Sequence, residues 1–176
     1  INFTFEDLRK IVNICNEAGV NTYLTVNTVI YDGELDTMRQ IIDAAAEVKV
    51  SAVIVSDVAV MKYAREKGVE VHASTQLNIA NIEAVEFYSQ FCDVMVTARE
   101  LSLDQVADIT YQIKQRNIKG PNGKLVEIEV FCHGALCMAI SGKCYMSLHE
   151  FHHSANRGAC LQNCRRTYIL KDKESD

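Results

Sequence analysis

Five short apolar runs, each separated from the next by a stretch of helical periodicity, constrain this 176-residue chain more than any other feature. Residues 22–28 read as a buried strand. So do 51–56 (SAVIVS), 69–75 (VEVHAST), 93–97 and 125–132 (LVEIEVFC). Between them, Leu35, Met38, Ile41, Ile42, Ala45 and Val48 recur at helical spacing, and residues 58–67 and 79–90 continue the pattern. The helix ahead of the first strand carries Phe5, Leu8, Ile11, Val12 and Cys15, opens on Thr4 with Asp7 three residues on, and stops at Gly19. Ser102 and Gln105 form a second capping-box pair, ahead of Leu103, Val106, Ile109 and Ile113. Lys119–Lys124, with Gly120, Gly123 and the only proline, Pro121, is a turn. Strands alternating with helices predict a parallel sheet, and near-continuous apolar runs such as 51–56 suit strands covered on both faces.

An open doubly wound sheet and a partial barrel both satisfy that alternation. No glycine-rich phosphate loop follows any strand, which weakens the dinucleotide-binding version. The chain is short for a complete (β/α)₈ barrel, which needs about 250 residues. The expectation is therefore α/β: parallel βα repeats in a partial TIM-barrel-like fold over residues 1–134, a cysteine-rich segment over 135–170, and a charged tail over 171–176. In a barrel, the residues at strand C-termini converge on the active-site face. Here they are Asn27, Thr28, Asp57, His72, Ser74, Gln76, Arg99, Glu100, Glu129 and His133.

Charge and cysteine content narrow the class further. The net charge of −5 gives no global sign of nucleic-acid binding, although Arg157, Arg165, Arg166 and Lys171 make the cysteine region more basic than the rest. Seven cysteines, an odd number, argue against a complete disulfide framework. With no signal peptide and no long apolar span, metal-bound thiolates in a reducing cytoplasm are the better reading. The chain begins at Ile1, as a piece of a longer protein would.

Cys137 and Cys144 are spaced C-x₆-C around Gly142, and Cys160 and Cys164 are spaced C-x₃-C after Gly158. Four thiols within 28 residues of glycine-containing loop can close on one soft or borderline metal centre. Only the second pair has the tight spacing of a structural zinc site. Ligation of a 4Fe–4S cluster tolerates more varied spacing, so iron–sulfur is favoured and zinc stays open. Cys132, beside Phe131 on the last predicted strand, reads as core, and Cys15 and Cys92 read as packing residues.

The run from Glu129 through Phe131, Cys132-His133-Gly134-Ala135-Leu136-Cys137, to Gly142-Lys143-Cys144-Tyr145-Met146-Ser147 resembles the signature of the collagenase-like "peptidase U" family. Asn156-Arg157-Gly158-Ala159-Cys160-Leu161-Gln162-Asn163-Cys164-Arg165 is similar to that family's second cysteine block, and His72-Ala73-Ser74-Thr75-Gln76 to a further shared segment. The resemblance spans essentially the whole chain. It implies a TIM-barrel-like catalytic domain with a four-cysteine iron–sulfur site. Members were named as peptidases. Several are associated with hydroxylation: of tRNA to 5-hydroxyuridine, of 23S rRNA to 5-hydroxycytidine, and, without oxygen, in ubiquinone synthesis. The RNA-acting members are linked to prephenate as the hydroxyl source. The wording HGALC and NRGACLQNCRR looks closest to the tRNA-modifying branch.

The residues themselves give proteolysis little support. There is no G-x-S-x-G elbow and no H-E-x-x-H; His72 and Ser74 share a strand face and could meet, but no orienting carboxylate is identifiable. The candidate catalytic set is His133, Glu129, His72, Ser74 and Gln76, with His133 the favoured acid/base or orienting group. Glu129 faces the barrel interior, where it pairs with a cation such as Arg99 or serves substrate. Asn27, Arg99, Arg157 and Arg165 are the candidate substrate contacts, guanidinium forks suiting RNA phosphates or an anionic small molecule such as prephenate. His149, His152 and His153 read as a solvated turn. The leading expectation is iron–sulfur-dependent hydroxylation of tRNA or rRNA away from any membrane. The alternatives are a peptidase and a zinc-stapled structural or RNA-binding module.

Overall fold

Each expected strand forms, and each is shorter than its apolar run. The computed structural model describes residues 3–169. Helix α1 (Phe5–Glu17) leads into β1 (Tyr23–Val26), and α2 (Leu35–Val48) follows. Then come β2 (Ala52–Val55), α3 (Val58–Glu66), β3 (Val71–Ala73), α4 (Ile82–Tyr88), β4 (Val94–Val96), α5 (Leu103–Arg116) and β5 (Glu127–Glu129). A short α6 (Met146–Phe151) lies in the cysteine segment. The expected tail at 171–176 lies outside the described residues.

The five strands pair in parallel in the order β1-β2-β3-β4-β5. That sequential order has no switch point, which separates it from the doubly wound alternative. Right-handed crossovers in one direction stack all the connecting helices on one face. The sheet does not close, so the fold is a partial-barrel-like α/β array. Its core lies between sheet and helices: Val53, Val55, Val71 and Met95 from the strands meet Ile42, Met61, Val85 and Ile113 from the helices, all essentially buried. Each such side chain contributes about 1.5–3 kcal/mol.

The sheet is not covered evenly on both faces, as 51–56 had suggested. Residues in register on the face away from the core include Thr25, Ile54, His72, Val94 and Glu127. Tyr23, Glu127 and Glu129 on that face are exposed. Helix α1 is also only half covered: Val12 is buried while Phe5 and Ile14 are exposed.

Local chemistry sets the helix starts. Thr4 and Asp7 cap each other reciprocally at α1, and Ser102 and Gln105 do so at α5. Asp57, one of the polar residues expected at the barrel mouth, is the α3 cap: it accepts from the Ala59 N–H at 2.8 Å and from the Ile30 N–H at 3.2 Å. Gly120 is needed for close approach, because a Cβ there would lie 2.5 Å from Asp93 Oδ1 and 2.8 Å from Asp93 Cα. No described helix is long and apolar enough to cross a membrane.

Candidate cysteine-lined site

Three strand ends build the floor. After β3 the chain makes a 3-10 turn, Thr75–Leu77, capped by Ser74, whose hydroxyl accepts from the Gln76 N–H. After β4 it runs through Thr97 to Arg99. After β5 it leaves the sheet at Val130 and enters the cysteine segment. That segment returns across the first two ends. Asn78 Nδ2 donates to the Ser141 carbonyl at 2.8 Å, and Arg99 donates to the Ala139 carbonyl at 3.0 Å and Ser141 Oγ at 2.8 Å. Gly142, at φ +71°, crosses so close that a Cβ would sit 3.3 Å from the Gln76 side chain. The C-x₆-C loop is thus fastened to the ends of β3 and β4 by hydrogen bonds.

A second anchor holds the other cysteine pair. Arg157 makes a bidentate ion pair with Glu34, donates to the Val29 carbonyl at 3.0 Å and stacks over the Tyr31 ring at 4.2 Å. Its neighbour Asn156 accepts from the Val29 N–H through its carbonyl and from the Cys144 N–H through Oδ1, both at 3.3 Å. The Arg157 guanidinium, helped by the Tyr31 N–H, holds the Glu34 carboxyl down to about 2. Asn156 and Arg157 therefore clasp the segment to the β1–α2 loop. Inside the segment, Ser147 and Asn163 are buried and bonded at 3.1 Å; Ser147 Oγ accepts from the Leu161 N–H, and Asn163 Nδ2 donates to Glu150 at 2.7 Å. This small polar core ties α6 to the loop bearing Cys160 and Cys164.

The result is one cavity of about 850 Å³ lined by Cys137, Cys144, Cys160 and Cys164. Cys132 lines it too. β5 stops at Glu129, so Cys132 is exposed on the loop and is not the core residue its position in the apolar run suggested. The Ala139 N–H, with Arg99 and Arg165 nearby, holds the Cys137 thiol below its ordinary value against the opposing effect of burial. Cys92 is the opposite case: burial, reinforced by Asp93, pushes it up to about 12, so it stays a neutral packing group. Among the described residues no carboxylate lines the cavity, while Arg99 and Lys143 do. A donor set dominated by thiols, with His133 the one imidazole among the lining residues and cations beside it, fits an anionic, thiolate-bound group. Among the described residues no three His, Cys, Asp or Glu side chains converge on a single ion. The cysteines surround a space and do not close on a point.

The other candidate residues divide. Gln76, Arg99 and His133 line the cavity with the cysteines. Asn27 and Ser74 do not line it; they follow β1 and β3, on either side of β2, and are joined at 3.4 Å. His72 turns away: its Nε2 lies 3.0 Å from Glu70 and its ring 5.1 Å from that of Tyr23, so the His72–Ser74 pairing that a hydrolase would need does not form. Glu129 makes no ion pair among the described residues, and the Arg99 expected to meet it donates instead to the cysteine loop. Arg157 is held by Glu34 and is not free for phosphate. Arg165 donates to the Leu136 carbonyl and remains exposed. Sequence reasoning missed Ser141, Asn78, Asn156 and the Ser147–Asn163 pair. Ser and Asn have no periodicity to betray them, although Asn156 stands beside a flagged arginine.

A singly wound parallel sheet with a thiol-lined cavity at its strand C-termini places this chain among partial-barrel-like α/β proteins. The pattern of peptidase family U32 matches residues 1–176, and the chain belongs to that family. A Porphyromonas gingivalis protein named "Collagenase" is 63% identical over 99% of this chain and 42% of its own length. The Escherichia coli "23S rRNA 5-hydroxycytidine C2501 synthase" is 36% identical over 97% of this chain and 24% of its own length. The Bacillus subtilis "tRNA hydroxylation protein P1" is 33% identical over 96% of this chain and 38% of its own length. The chain spans less than half the length of these relatives.

Proposed function

We propose that this chain is the cysteine-bearing part of a longer cytoplasmic enzyme that hydroxylates a pyrimidine in RNA, forming 5-hydroxyuridine in tRNA with a 4Fe–4S cluster. The observation that carries the reading is the gathering of Cys137, Cys144, Cys160 and Cys164 around one carboxylate-free cavity at the strand ends. Those four thiols would hold the cluster, which would supply electron-transfer or substrate-activating chemistry at the cavity. The Ala139 N–H, with Arg99 beside it, lowers the Cys137 thiol from its ordinary value, in the direction that favours metal binding. His133, at the cavity wall, is placed to move or hold a proton on the bound base, and Gln76 to orient it by hydrogen bonds. Prephenate, an anionic donor, would meet the positive charge of Arg99, a guanidinium held in place by the cysteine loop, at the same wall. The names of the relatives that act on tRNA and rRNA support the choice of substrate. Nucleoside mass spectrometry of tRNA and rRNA from a deletion strain tests it. The expected result is loss of one 5-hydroxypyrimidine, restored by the full-length gene and not by a Cys137→Ser version; unchanged RNA would end the proposal.

A peptidase is the second reading, favoured by the name of the 63%-identical relative. It needs an activated nucleophile. The separation of His72 from Ser74 removes the pair that sequence offered for that role. Gelatin or peptide cleavage that survives iron removal and dies with Ser74→Ala would establish it.

A further inference from the structure

The charge of this chain is divided unevenly. Residues 1–131 hold 12 basic and 19 acidic side chains, a net of −7, whereas residues 132–169 hold Lys143, Arg157, Arg165 and Arg166 against Glu150 alone, a net of +3. Four of the five histidines also lie in the second stretch. Arg157 is neutralised by Glu34. Lys143, Arg165 and Arg166 are exposed, and among the described residues none of them pairs with a carboxylate. Glu150 is itself engaged by Asn163. The cations sit about the cysteine cavity: Lys143 lines it, Arg165 holds the Leu136 carbonyl on its wall, and Arg166 follows, stacked over Phe151 at 5.2 Å.

The cavity, which of the three cations only Lys143 lines directly, is open and apolar-walled. Phe131 and Tyr145 line it with 62% and 65% of their surfaces exposed. Exposed aromatics beside unpaired cations are what single-stranded nucleic acid requires: rings for base stacking, charges for the flanking phosphates. At about 850 Å³ the cavity falls within the range of small-molecule sites, about 300–1,000 Å³. A duplex cannot present a base to such a recess without flipping it out.

We infer that the cysteine segment is itself the RNA-docking surface: Lys143, Arg165 and Arg166 take backbone phosphates while an unpaired base enters the cavity between Phe131 and Tyr145. The negatively charged βα repeats stay clear of the RNA. This rests on the reading above that the substrate is RNA, and it adds which face meets it and in what form.

The test is binding, not turnover. Full-length protein is titrated against a fluorescein-labelled RNA stem-loop with unpaired uridines in the loop, across a salt series. Three phosphate contacts on single-stranded RNA give a log–log salt slope of about −2, and Lys143→Gln or Arg166→Gln each reduces it by about 0.7. Tyr145→Ala weakens binding by about 5- to 150-fold, the effect of losing one stacking ring, and Tyr145→Phe restores it. Lys62→Gln, on the outer surface of α3, changes nothing. A fully paired RNA of the same length binds more weakly. If the stem-loop binds but Lys143→Gln and Arg166→Gln leave its salt slope intact, the surface assignment is overturned while the RNA reading stands. Equal binding of the duplex overturns the base pocket. If the wild-type protein binds no RNA but retains gelatin through the same cations, both the inference and the RNA reading fall.

Discussion

The βα repeats and the cysteine segment are held together by different means. The repeats bury Ile42, Val53, Met61, Met95 and Ile113 between sheet and helices, a redundant apolar core. The segment from Cys132 onward leaves Leu136, Met138, Ile140 and Tyr145 exposed and relies on hydrogen bonds: Arg99 to Ala139 and Ser141, Asn78 to Ser141, Arg157 to Glu34, Ser147 to Asn163. A core of the first kind survives without a ligand. A polar frame around an apolar cavity is suited to being completed by something it binds. Occupancy of the mouth is therefore expected to show in the segment before it shows in the scaffold.

Thiol reactivity should show the largest contrast. Cys92, raised from 9.0 to about 12, has about a thousandfold less thiolate at a given pH, whereas Cys137 lies below the ordinary value. Mass-resolved iodoacetamide labelling of metal-free protein should mark Cys137 early and Cys92 only on denaturation. Early labelling of Cys92 would mean the repeats open as readily as the segment.

Stability comes next. Ile42→Ala removes a fully buried side chain and should cost about 2–5 kcal/mol in urea unfolding. Gly120→Ala drives a methyl into the Asp93 backbone and should cost about 1–3 kcal/mol. In both variants, metal bound per folded molecule should not change.

The smallest effect belongs to the clasp. Glu34→Gln should leave the unfolding midpoint almost unmoved and speed proteolytic cutting near Gly158. The pH dependence has a definite sign. Glu34 is held down to about 2 against an ordinary 4.5, so the clasp is intact above about pH 4.5 and is lost as pH falls through about 2. Protection of the Val29 N–H, measured relative to its intrinsic exchange rate at each pH, should fall over that window in wild type and stay constant in Glu34→Gln.

The repeats were legible in the sequence because hydrophobic periodicity and capping boxes act locally. Thr4–Asp7 and Ser102–Gln105 each specify a helix start within four residues. Strand ends were read long: in 125–132, Val130, Phe131 and Cys132 are apolar yet leave the sheet, so composition could not mark where pairing stops. The cysteines were legible as a group. What fastens them was not, because Glu34 and Arg157 are 123 residues apart. Alternation alone could not show that Glu70, just before β3, would take the His72 imidazole at 3.0 Å.

Four thiols that share one inorganic centre should lose it together. Iron and acid-labile sulfide should be measured in anaerobically purified full-length protein, with the visible spectrum, for wild type and for Cys137→Ser, Cys144→Ser, Cys160→Ser and Cys164→Ser. The account predicts stoichiometric iron and sulfide with broad absorbance near ~400 nm in wild type, and loss of both in each variant while the βα repeats stay folded. A colourless, iron-free wild type, or variants that keep their full iron, would contradict it.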